Sequence, residues 1–130
     1  LRSLVGSEMC IRDSLYAAVE AIAWTPRTID LGPARGIYVA GELAAAAGVH
    51  FVTPWVAEIG HIVTRPAYRR QGMGEAVTRA VVGDLWGRTR HIFLMHLSDN
   101  EAAARLYGRM GFEPKGTLLL TRFSLGEPAT

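Results

Sequence analysis

Residues 67–75 read AYRRQGMGE: two arginines and a glutamine precede a Gly-Met-Gly step, and an apolar helical pattern follows directly. A helix N-terminus leaves backbone N–H groups without partners, and its peptide dipoles add partial positive charge there. An anion settles at such an end. Gly72 and Gly74 lack the Cβ atoms that would hold a bulky phosphate away, and Arg69 and Arg70 add full charge beside them. The stretch therefore points to a phosphate or diphosphate over residues 69–74. It lacks the Lys-Ser/Thr ending of a nucleotide P-loop and is shorter than a dinucleotide fingerprint. The competing reading is a turn carrying two solvated arginines. His50, His61, His91 and His96 show no ligand spacing, and no cysteine or carboxylate cluster joins them, so no metal is expected. On a regular strand His61 and Glu58 would face opposite sides, and only a bulge would change that.

The elements that must position this loop follow from pattern and punctuation. Residues 15–24, LYAAVEAIAW, have helical spacing, and residues 25–36, with two prolines and two glycines, read as a connection. Residues 37–52 predict a strand, a tight turn at Ala40-Gly41 and a second strand. Thr53-Pro54 breaks the pattern, residues 55–65 form a third strand, and Pro66 stops it. Met73, Val77, Ala80, Val81, Leu85 and Trp86 recur at steps of a helix face, ended by Gly87. Residues 91–97, HIFLMHL, suit a buried strand. Residues 98–112 predict a second helix, with Ser98 and Glu101 as a capping box and Gly111 as the C′ glycine. Residues 117–123, TLLLTRF, read as a last strand, and the tail after them as frayed. The hairpin strands must be antiparallel, while the third and fourth, joined through a helix, can be parallel. Three tryptophans, Trp24, Trp55 and Trp86, read as core or sheet-edge packing, with Trp55 a candidate for lining an acceptor pocket.

Composition limits the alternatives. The 130 residues suffice for one domain with a real core; 49% are hydrophobic, 20% are charged and the net charge is +2. Lys115 is the lone lysine. The clustering of Arg65, Arg69 and Arg70 speaks to a local anion site rather than a nucleic-acid surface. No apolar run reaches the length of about 18 residues that a membrane span needs. Cys10 is the sole cysteine, which excludes a disulfide framework and a thiolate metal site. Residues 4–14, LVGSEMCIRDS, back-translate without a gap to the transposon-end adapter used in preparing sequencing libraries. Residues 1–14 are therefore expected to be a non-native segment, and residues 15–130 a single, N-terminally incomplete domain.

The segment IVTRPAYRRQGMGEAVTRAVV resembles the acetyl-CoA-binding motif of the GNAT N-acetyltransferases. The motif's core, Arg/Gln-x-x-Gly-x-Gly/Ala, is matched by Arg69, Gly72 and Gly74. The helix NEAAARLYGRMGF resembles the same family's second motif through Asn100, Ala103, Leu106, Tyr107, Gly111 and Phe112. GIYVAGELAAAAGVHF resembles its central hairpin. The likeness covers about residues 24–123. It implies an α/β (α+β) fold with a mixed, mostly antiparallel sheet, one parallel strand pair and flanking helices.

By that resemblance the chain is expected to move an acetyl group from acetyl-CoA to a primary amine by direct attack. No metal and no covalent enzyme intermediate are needed. Glu58 stands where many members carry a catalytic glutamate, and Tyr107 where they place a tyrosine near the CoA sulfur; base and acid are the implied roles. The diphosphate would lie on Arg69, Arg70, Gln71, Gly72, Met73 and Gly74. The pantetheine arm would pair with the backbone of Ile62, Val63 and Thr64, as an added strand does, and would meet Asn100. Asn100 has helix capping as its alternative role. The partner implied is a small-molecule or protein amine, with neither nucleic acid nor membrane, a homodimer left open and a cytoplasmic location. Two other readings compete: a non-catalytic acyl-CoA-binding module with the same fold, and a phosphate-binding domain without CoA chemistry.

Overall fold

A computed structural model of the chain describes residues 2–3, 31–121 and 123–126. The helix expected over residues 15–24, the suspected adapter segment 4–14 and Trp24 lie outside the described residues. The described elements are β1 (Arg2–Ser3), β2 (Arg35–Val39), β3 (Glu42–Val52), β4 (Val56–Thr64), a 3-10 turn (Pro66–Tyr68), α1 (Met73–Leu85), β5 (His91–Leu94) and α2 (Glu101–Arg109). The strands form one sheet in chain order. Successive pairs from β1 to β4 are antiparallel, and β4 and β5 are parallel.

The hairpin joining β2 and β3 turns through Ala40 at φ 51° and Gly41 at φ 79°. Both central residues lie at positive φ, which is the condition of a type I′ turn and matches the twist of the flanking strands. β3 is the central strand, and Leu43 through Ala47 and Val49 are 0–2% exposed. Its run ELAAAAGVHFV lacks strict alternation because both faces are covered. The β3–β4 connection is closed by Thr53, whose hydroxyl donates to Val56 O at 2.8 Å and accepts from Val56 N at 3.0 Å.

α1 lies across β2, β3 and β4. It presses Val77, Val81 and Leu85, all fully buried, onto Ala45, Ala47, Val49, Ala57 and Ile59. Burying each large side chain contributes about 1.5–3 kcal/mol. The alanines on β3 keep this face flat enough for the helix to sit close. Arg35 adds a bidentate clamp: Nε and Nη2 donate to the two carboxylate oxygens of Asp84, each at 2.6 Å, which ties β2 to the far end of α1. That pairing raises the Arg35 pKa and lowers that of Asp84.

Several expectations need correction. Among the described residues the last strand does not form: residues 117–121 run outside the sheet, and Leu118, Leu119 and Leu120 are 77–93% exposed. Alternation would put Leu118 and Leu120 on one face and Leu119 on the other, but composition supplies no strand edge to pair with, and these residues pair with none of the described strands. β5 is shorter than expected and half-covered, with Ile92 and Leu94 turned to the core and His91 and Phe93 to the surface. Trp55 and Trp86 are exposed rather than packed, Trp86 because it already belongs to the turn that ends α1. The N-cap of α2 is Asn100, not Ser98; its side-chain oxygen accepts from Ala103 N at 3.1 Å. Gly111, at φ 99°, does end that helix: Phe112 N donates to Tyr107 O and Gly111 N to Gly108 O, the Schellman pattern.

Candidate functional site

The sheet opens midway along β4. Its ladder with β5 runs from Val56↔His91 to Ile59↔Leu94 and then stops. Its ladder with β3 continues to Val63↔Ala46 and Thr64↔Ala45. On the side facing away from β3, the backbone of residues 60–64 has no strand partner among the described residues. This stretch contains Ile62, Val63 and Thr64, the residues expected to pair with an extended ligand arm.

The Gly-Met-Gly loop sits at the end of this opening. Gly72 is the N-cap of α1, at φ 79°, and no side chain caps the helix, so its first amides are available. Open space surrounds the position a Gly72 Cβ would take, so the glycine is required by its backbone angle rather than by crowding. Gly74 lies inside the helix at an ordinary helical angle, and a Cβ there would make only ordinary contact with Thr64. Arg70 also lies at positive φ. Arg69, Arg70, Gln71 and Gly72 are exposed, while Met73 and Gly74 are half-buried. Arg69 Nε donates to Thr64 O at 3.2 Å, which ties the loop to the end of β4. Arg65 parts from the expected cluster: its Nε donates to Leu43 O at 2.8 Å and lies 3.4 Å from Glu42. Glu75 in the first turn of α1 would oppose an anion, but Arg79 at 2.8 Å and Arg109 at 3.6 Å engage it. The hydrogen bond from Arg79 holds its carboxyl below the usual range. Arg109 reaches Glu75 from α2, a contact the sequence does not announce.

Glu58 stands where β4 is still paired on both sides. It is buried, and its register partners are Phe51 on β3 and Phe93 on β5. Cross-strand partners share a face. The two phenyl rings approach to 6.1 Å, and by register they share the face of Glu58, opposite Ala57 and Ile59.

Two bulges then bring histidines to Glu58. The pairing steps from Val49↔Ile59 to Phe51↔Glu58, which leaves His50 as an extra residue on β3. It steps from Gly48↔Gly60 to Ala46↔Val63, which leaves an extra residue on β4 beside His61. His61 there adopts φ 53°. The opposite-face expectation for Glu58 and His61 therefore fails, because a bulge resets the alternation. His50 Nδ1 lies 3.1 Å from Glu58 Oε1, and the His50 and His61 rings meet edge to face at 4.4 Å. Oε1 makes no hydrogen bond among the described residues, so the imidazole touches it off the line that a bond requires. Burial, with a smaller effect from His50, lowers the His61 pKa to about 4. Among the described residues no group of three or more His, Cys, Asp or Glu side chains is arranged to hold a metal ion.

Tyr107 is buried on α2, with its ring against Phe112 and 5.9 Å from His96. Burial raises its pKa, so the phenol keeps its proton at neutral pH. Asn100 takes the capping role. Leu106, one residue before Tyr107, lies beside Gly74, which places α2 at the start of α1. Among the described residues no helix is long and apolar enough to cross a membrane.

Residues 34–119 match the family model described as FR47-like protein. Solved structures of the same architecture include an acetyltransferase of the GNAT family from Novosphingobium aromaticivorans, at TM-score 0.80 and 29% identity over 85% of this chain. This chain spans 50% of that protein's length. The ribosomal-protein-S18-alanine N-acetyltransferase from Escherichia coli aligns at TM-score 0.76 and 24% identity, over 88% of this chain and 77% of its own. A GNAT-family acetyltransferase from Streptococcus pneumoniae aligns at TM-score 0.74 and 17% identity, over 88% of this chain and 84% of its own. The last two likenesses show the fold alone. A comparison with curated proteins found no match.

Proposed function

The chain belongs to the FR47-like family of GNAT-related proteins, and from that premise we propose that it transfers an acetyl group from acetyl-CoA to a primary amine. The observation that carries this reading is the parting of β4 from β5 after Ile59↔Leu94, with an uncapped glycine-led helix start at the end of the opening. The loop from Arg69 to Gly74 offers backbone amides and two guanidinium groups to a diphosphate. The backbone of Ile62, Val63 and Thr64 offers a free edge to the amide-bearing pantetheine arm. Asn100 retains its side-chain NH₂ for that arm while its oxygen caps α2.

Glu58 takes a proton from the attacking amine, and Tyr107 gives one to the departing thiolate. The raised pKa of Tyr107 keeps that proton on the phenol until the thiolate forms. Starting from the ammonium form, the nitrogen loses two protons per turnover: one restores the proton Tyr107 gave to the CoA thiolate, and the other leaves to water by way of Glu58. The acceptor is a small-molecule or protein amine, and neither nucleic acid nor a membrane is involved. The test is release of free CoA thiol from acetyl-CoA across a panel of amines. Amine-dependent release that falls about 10²-fold or more in Tyr107→Phe, with CoA affinity kept, is the expected result. Stabilisation by CoA without release by any amine would make the chain a non-catalytic acyl-CoA-binding module. No stabilisation by CoA at all would defeat both readings.

A further inference from the structure

We propose that His50 is a positioning and proton-relay residue for Glu58, carrying the proton from the buried carboxylate to solvent. The inference rests on the acetyl-transfer reading above and adds a residue to that site. Glu58 is poorly placed to exchange protons with water by itself: its side chain is 9% exposed and its register partners on both neighbouring strands are phenylalanines, Phe51 and Phe93. The His50 side chain, at 38% exposure, spans the distance from Glu58 to the surface, with Nδ1 3.1 Å from Oε1. Oε1 makes no hydrogen bond among the described residues, and the imidazole is the polar group seen against it.

Three local features hold the imidazole there. The bulge at His50 turns its side chain toward Glu58 instead of continuing the strand alternation. Gly60, opposite on β4, leaves the room the ring occupies; a Cβ at that position would overlap the imidazole. His61, raised by the second bulge, closes the ring's other side edge to face. Glu58 and His61 are the titratable groups seen against His50 among the described residues. His61 stays neutral at pH 7, so it does not repel a proton arriving on His50.

The step balances. The O–H bond of protonated Glu58 breaks as an N–H bond forms at Nδ1 of neutral His50. The imidazolium then loses one proton to water, and both groups return to their starting forms.

Two experiments test the relay, one of which does not need turnover. In histidine NMR spectra, Glu58→Gln should move the His50 ring resonances, because the carboxylate charge 3.1 Å from Nδ1 is gone. Unchanged His50 ring resonances would overturn the contact and with it the relay. In steady-state assays, His50→Ala should lower kcat about tenfold or more with CoA affinity unchanged, and free imidazole should restore part of the loss. Gly60→Ala, which keeps the histidine but displaces its ring, should reproduce the loss. Wild-type kcat and pH profile in His50→Ala would overturn the proposal. So would a loss accompanied by weaker CoA binding and no imidazole rescue, which marks a structural role. If no amine supports thiol release in the wild-type chain, the acetyl-transfer reading and the relay fall together; a normal rate in His50→Ala defeats the relay alone.

Discussion

The two halves of β4 differ in almost every respect. Residues 56–59 pair on both sides, place Ala57 and Ile59 in the core and obey strand alternation. Residues 60–64 pair only with β3, carry a bulge with a positive φ, and are half-exposed. The candidate chemistry lies at the boundary between them. Glu58 is held rigidly by the first half, and the ligand arm would attach to the second. A buried catalytic group and an accessible binding edge thus follow from one strand, because one partner leaves it and the other stays.

Changes aimed at each half should separate stability from binding. Leu85→Ala acts on the first half through α1. Removing a fully buried leucine from the cluster over Ala57 and Ile59 should cost about 2–5 kcal/mol, read as a lower midpoint in chemical denaturation. A loss below about 1 kcal/mol would mean that α1 does not hold this half. Gly72→Asp acts on the second half. It forces a side chain onto φ 79° and sets a negative charge at the helix start, and should weaken CoA about 100-fold, while the strained angle costs no more than about 1–2 kcal/mol of stability. Unchanged affinity by calorimetry would remove the loop from the site.

The smallest effect concerns the bulge itself. The folded chain holds His61 neutral down to about pH 4, whereas an unfolded chain protonates it near 6.5. Between those values the unfolded state binds more protons, so stability falls as pH drops from about 6.5 to 4. His61→Asn tolerates the same backbone region and removes the titration. The wild-type curve should slope more steeply than the variant's across that window, and parallel curves would show that His61 is not shielded from water.

Local chemistry was legible in the sequence; register was not. Ala40-Gly41, Pro66, Gly72 and Gly111 act over a few residues, and each ends or turns an element where the chain suggests. The capping of α2 was legible only as two adjacent candidates, and Asn100 holds it because its oxygen meets the N3 amide. The meeting of Glu58, His50 and His61 depends on two bulges that arise from pairing between strands. No spacing within β4 encodes them, although Gly60 beside His61 is a trace of the close approach. TLLLTRF misled because β-forming composition says nothing about whether a partner edge receives it.

The central claim is that the opening between β4 and β5 receives the CoA arm. Amide hydrogen exchange with and without CoA addresses it directly. The account predicts slower exchange confined to residues 60–64 and to the first turn of α1, with β3 and residues 56–59 unaffected. Exchange unchanged at those amides when CoA is saturating, or slowed only elsewhere in the chain, would contradict it.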